Sequence, residues 1–214
     1  MNLFKSQRCA VAAVAGALVT MGVAVGGCGR DDHQAPASVH ADTDLTVVPA
    51  DVHWVDYQGV RLPVGADGPG QVSAEAATGF THTPQGAALA AIVHTVRMSL
   101  APDEHWASVA AQEIAAGAGK DAWASSRVLL SIQGRADPAT APRVRGYTIT
   151  DYNRAIAHLQ IYTSFPDDSV AVNTATVVWV AEDWRLQLPD PSATDAVVRE
   201  ATTVDAKVRL EAPQ

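Results

Sequence analysis

"SVAVNTATVVWVAEDWRLQLP", residues 169–189, is the stretch on which the fold turns. Along it Val172, Thr174, Thr176, Val178 and Val180 alternate with Asn173, Ala175, Val177 and Trp179. A period of two belongs to a strand, whose successive side chains point to opposite faces of a sheet. Glu182-Asp183, between Trp179 and Trp184, then reads as the turn of an antiparallel pair. Upstream, "RAIAHLQIYTSF" (residues 154–165) repeats the pattern, with Ile156, His158, Gln160 and Tyr162 against Ala157, Leu159 and Ile161. "VRGYTITDYN" (residues 144–153) supplies one more strand before it.

Further upstream the pattern becomes helical. In "FTHTPQGAALAAIVHTVRMSL" (residues 80–100), Thr83 can cap a helix, and Pro84 sits at the first helical position, where a missing N–H costs nothing. From Ala87 to Leu100 the helix is apolar nearly all round, which predicts burial on most faces. Residues 101–119 give a second helix, with acids in its first turn and Trp106, Val109, Ala110 and Ile114 on one face. Residues 120–134 give a third, stopped by Gly134, and residues 135–143 a loop. Residues 52–65 read as a short strand or hairpin around Gly59, and residues 66–79 as a loop. The tail after Pro189 admits a helix. Helices followed by an antiparallel meander make an α+β fold, with N-terminal helices packed on a curved antiparallel sheet.

The beginning of the chain is an address. Lys5 and Arg8 precede residues 9–27, 19 residues without a charge, the layout of a secretory signal. The run ends Val25-Gly26-Gly27-Cys28, which resembles the bacterial lipobox, an aliphatic and two small residues before a cysteine. Under that resemblance Val25, Gly26 and Gly27 are the peptidase recognition residues and Cys28 is lipidated. The competing reading is an uncleaved transmembrane helix, since 19 residues reach roughly 28 Å. Both tether the chain to the outer face of the cytoplasmic membrane. The expected division is a signal over 1–27, a flexible polar tether over 28–51, a domain over 52–190 and a tail over 191–214. His33 and His40 fall in the tether as solvated residues.

Charge excludes some partners. Two of the 15 Lys+Arg lie in the signal, so 13 face 23 Asp+Glu in the remainder. An acidic, unclustered surface repels phosphate backbones, so no nucleic-acid partner is expected. Cys9 and Cys28 are the two cysteines, and none follows. Disulfide scaffolds, thiolate metal sites and cysteine nucleophiles are thereby excluded from the domain.

No catalytic signature is present, and neither a metal nor a cofactor is expected. Asp103-Glu104-His105 has ligand-like residue types, but helix-start acids account for two of the three. His94, in an apolar helix, is either a hydrogen-bonded core histidine or a pocket residue. Tyr147 and Asp151, near a strand end, could transfer protons inside a cavity, or else flank the hairpin turn at residues 151–154. His94, Tyr147, Asp151 and Trp179 are the candidate pocket-lining residues.

Three segments carry a resemblance: "WVDYQGVRLPVGADGP" (54–69), "GFTHTPQGAALAAIVHTVR" (79–97) and "VVWVAEDWRLQLP" (177–189). Together they resemble an uncharacterised family of actinobacterial extracytoplasmic domains, associated with conjugative elements and phages. That family shows a W…G-V-x-x-P opening, a G-[FY]-x-x-[ST]-P-x-G-A helix start and a closing W-x-x-x-D-W-R strand pair. The resemblance implies a cystatin-like, nuclear-transport-factor-2-like (NTF2-like) cone of the VirB8-like type. It transfers no catalytic residue. The chain departs from it in having a lipobox where many relatives have a transmembrane anchor, and in having no second domain copy.

The function expected is a non-enzymatic, membrane-tethered scaffold that binds protein partners in a cell-envelope complex, of conjugation or secretion type. The alternatives are a small-ligand or enzymatic use of the same cone, and a surface lipoprotein in phage or plasmid exclusion.

Overall fold

The computed structural model describes residues 43–212. The signal segment, Val25, Gly26, Gly27, Cys28, His33 and His40 lie outside the described residues.

A hairpin comes first, β1 (His53–Tyr57) against β2 (Val60–Val64). Its two-residue turn, Gln58-Gly59, has positive φ at both positions, the twist that matches antiparallel strands. Two short strands follow, β3 (Gln71–Val72) and β4 (Ala77–Thr78). Three helices come next, α1 (Pro84–Leu100), α2 (Trp106–Glu113) and α3 (Ala118–Arg127). Four sheet strands then run in order, β5 (Arg143–Tyr152), β6 (Ile156–Ser164), β7 (Val170–Val180) and β8 (Asp183–Gln187). β9 (Val198–Ala201) and β10 (Val208–Arg209) complete the sheet.

The large sheet is antiparallel throughout, in the order β10-β5-β6-β7-β8, with β9 pairing the first part of β7. Two register shifts in β5, at Val144/Gly146 and Ile149/Asp151, bend it across α1. Leu159, Ile161, Ala175 and Val177 face α1, where every residue from 87 to 93 is buried. Fully burying Leu89, Ile92 and Val93 stabilises by roughly 1.5–3 kcal/mol each. The Thr83 hydroxyl accepts from Gly86 N at 3.0 Å, capping α1. A Cβ on Gly86 would meet Thr81 O at 2.1 Å, so only glycine fits that close approach.

Several boundaries differ from the sequence reading, each for a tertiary reason. The β7–β8 turn is Ala181-Glu182, both at positive φ, so Asp183 opens β8. Its carboxylate accepts from Gly79 N (2.8 Å) and Phe80 N (3.0 Å), which draws it into the strand. α2 has no acid in its first turn, because Asp103 and Glu104 precede the helix and Asp103 bonds elsewhere. α3 ends at Arg127, seven residues before the expected stop at Gly134, because the Arg127 side chain is drawn inward to other segments. The tail is two strands and no helix, since open edges of β7 and β5 take up residues 198–201 and 208–209. The sheet therefore continues past residue 190. On the other side Leu45 packs against the core, so packed structure begins before residue 52.

Candidate functional site

Chemistry-bearing side chains gather in two places, both built around an arginine. The first is sealed inside. His94 and Arg97 stand one turn apart on α1, facing Glu113, the last residue of α2, and all three are at most 1% exposed. Glu113 Oε1 accepts from Arg97 Nε (2.6 Å) and from Ala77 N of β4 (2.9 Å). His94 Nδ1 lies 2.9 Å from Glu113 Oε2, and His94 Nε2 lies 3.0 Å from Trp184 O of β8. Both ring nitrogens thus face oxygen atoms, one of a carboxylate and one of a backbone carbonyl. Arg97 Nη2 donates to Ala74 O at 3.2 Å, and its guanidinium lies 4.4 Å from the centre of the Tyr57 ring. Burial raises the Tyr57 phenol above its ordinary value, against the opposing pull of Arg97. The cluster ties α1 to α2, β4, β8 and β1. A carboxylate whose two oxygens are taken by protein donors is arranged to hold elements together rather than to meet a substrate.

The second place is on the surface, where α3 ends. Arg127 is 4% exposed, and its guanidinium donates to Leu130 O (2.7 Å), Ala101 O (2.9 Å) and Asp103 Oδ1 (3.0 Å). Asp103 also accepts from Ile132 N (2.9 Å) and the Ser131 hydroxyl (2.7 Å). These donors, the Ile132 N–H first, lower its carboxyl to about 2. Between the two clamped ends, Val128, Leu129 and Leu130 point outward at 62%, 84% and 60% exposure. Three consecutive large apolar side chains are thus held in water by an ordered turn. Trp106, edge-on to Trp123, supports it from beneath.

The structure does not gather the four residues singled out from the sequence. His94 belongs to the sealed cluster. Tyr147 is fully buried in the core on β5, where burial pushes its phenol far up and Asp67 adds to the shift. Asp151 is exposed on β5, paired with His158. Trp179 is half-buried at the end of β7, stacked on His82 with ring centres 3.9 Å apart. What links His94 and Trp179 is Trp184, whose carbonyl meets His94 and whose ring lies 5.4 Å from Trp179. Among the described residues no group of three or more His, Cys, Asp or Glu could hold a metal ion. No described helix is long and apolar enough to cross a membrane.

Residues 23–208 match a family described as a domain of unknown function, DUF8175. The chain belongs to the DUF8175 family. No curated protein and no solved structure matches it. The DUF8175 match takes in both arginine clusters, the three helices and the sheet as far as Val208. Glu113 was the site residue sequence reasoning missed. Its signal was present, since Glu113 shares the face of Trp106, Val109 and Ala110, a lone acid in an apolar stripe, as Arg97 is a lone base in the apolar α1.

Proposed function

We propose that this DUF8175 chain is an extracytoplasmic protein-interaction module, tethered through a lipid on Cys28 and serving as a non-enzymatic scaffold of a cell-envelope complex. Its α+β domain is then an NTF2-like cone, and the setting is a conjugation- or secretion-like assembly. The observation that carries this reading is the Val128-Leu129-Leu130 turn. Exposing a large apolar side chain contributes nothing to this fold, yet the Arg127 and Asp103 side chains commit five hydrogen bonds to the turn that presents three of them. Apolar surface rimmed by polar groups marks interaction sites. The histidine and carboxylate suited to catalysis are instead paired inside the protein.

The test places a photo-crosslinking amino acid at position 129 of the full chain in native membranes, beside Leu129→Asp and Cys28→Ala variants assayed by crosslinking from a neighbouring position. Discrete adducts that fade in both variants support the reading. A chain that emerges alone from native membranes overturns it.

A further inference from the structure

A groove at one end of the helix–sheet interface and a strand edge beside it share one residue. The groove, about 190 Å³, lies between the second half of α1 and the sheet, and Ile92, Val96, Ile161, Phe165 and Asn173 line it together with Val198 of β9. None of its lining side chains is charged. It is smaller than the roughly 300–1,000 Å³ of small-molecule sites and close to the roughly 150 Å³ cavity that accepts benzene. One ring or one branched side chain fits it.

β9 pairs only with β7 among the described residues, so its other edge is open. Thr174 N donates to Val197 O at 2.8 Å, and the register continues Val172 to Arg199 and Val170 to Ala201. Hydrogen-bonded residues alternate along an antiparallel ladder. Val197, Arg199 and Ala201 therefore turn their N–H and C=O groups to β7, and Val198 and Glu200 turn theirs to the open edge. Directly paired residues share a face, so Val198 lies with Asn173 and Glu200 with Ala171, on the side that carries the groove. Val198 is 57% exposed and Glu200 is exposed.

We propose that β9 receives an extended segment of a partner protein by strand addition. One apolar side chain of that segment fills the groove beside Val198, and a Lys or Arg two residues away along it meets the Glu200 carboxylate. The proposal rests on the reading of this chain as an interaction module and names the chemistry of what it binds. Main-chain bonds to the Val198 and Glu200 amides and carbonyls supply affinity without regard to sequence, while the groove and the carboxylate select the motif. An apolar side chain on one face with a basic one at the next position on that face is complementary to Val198 and Glu200, whichever direction the segment runs.

The experiment selects random peptides displayed on phage against the full chain, in wild-type, Glu200→Lys and Glu200→Pro forms, each checked for an unchanged melting temperature. The wild type should enrich peptides with an apolar residue two positions from Lys or Arg. Glu200→Lys should turn the basic preference into Asp or Glu. Glu200→Pro removes one outward N–H and no bond to β7, a place where an edge strand tolerates proline. It should weaken the selected peptides by roughly tenfold or more. No enrichment, a consensus indifferent to Glu200→Lys, or full binding to Glu200→Pro would each overturn the proposal. Crosslinking from position 129 keeps the failures apart. Adducts there without edge-dependent peptides sink the strand-addition proposal and spare the interaction reading, and loss of both sinks both.

Discussion

Arg97–Glu113 and Arg127–Asp103 are the same chemical pair put to different uses. Each joins a residue near a helix C-terminus to an acid in another segment, and each arginine also donates to a backbone carbonyl. They differ in water. The Arg97 and Glu113 side chains are both 0% exposed, whereas Asp103 is 35% exposed. Inside, every unmet donor or acceptor carries its full desolvation cost, so the pair leans on His94, Ala77 N and Ala74 O, while Arg97 Nη1 and the Tyr57 hydroxyl meet no protein partner and bear that cost. Outside, water can replace any lost partner of the half-exposed Asp103, so the pair shapes one turn and stabilises the fold less than the sealed one. The sealed pair belongs to folding, and the surface pair to presentation.

That contrast can be broken by experiment, and the largest effect should come from inside. Glu113→Ala leaves Arg97 and His94 buried without their acid and should cost about 3–5 kcal/mol in urea unfolding. Replacing His94, Arg97 and Glu113 together by Leu, Met and Leu should recover most of that loss. If the single variant is near neutral, the cluster is not the clasp described. Arg127→Ala should cost less, about 1–3 kcal/mol, and its effect should be local, with faster amide exchange at Leu130 and Ile132. Exchange that rises equally in α1 would blur the distinction between the two pairs.

Acid should separate them next. The carboxyl of Asp103 lies at about 2 against an ordinary 3.8, so its folded-state value is depressed. The stabilisation from such a group is fully present above 3.8 and is lost as pH falls through about 2. Amide exchange at Ile132, scanned over that window, should rise as Asp103 is protonated, and Asp103→Asn should show the raised exchange at neutral pH with no further acid step. Smallest of all in stability is Leu129→Asp, expected within about 0.5 kcal/mol of wild type because the side chain is already in water. The same change should abolish crosslinking at the turn. A large stability loss would mean that Leu129 is covered in the folded chain.

Local patterns made much of the architecture legible. Thr83 before Pro84 marked where α1 begins, and the two-residue alternation around Val177 marked β7, because capping and pleat depend on near neighbours alone. The β7–β8 turn was misplaced by one residue, since Ala181 and Glu182 adopt positive φ without glycine. That choice follows from the Trp179–Trp184 register and from Asp183 reaching Gly79 and Phe80, both distant in sequence. The candidate site was less legible. His94 stood out by itself, but the acid that explains it is 19 positions away on another helix.

The sequence by itself determined that helices precede an antiparallel sheet, that α1 is buried on most of its faces, and that no thiol follows residue 28. Those properties follow from periodicity and composition, which the chain carries whatever its neighbours are. Only the tertiary structure decided that Glu113 meets Arg97 and His94, that α3 stops at Arg127, and that the tail becomes β9 and β10. Each of these needs a partner from a remote segment, a carboxylate for a buried base or an open edge for a strand. A residue's own sequence neighbourhood does not say which partner packing will bring within hydrogen-bond reach.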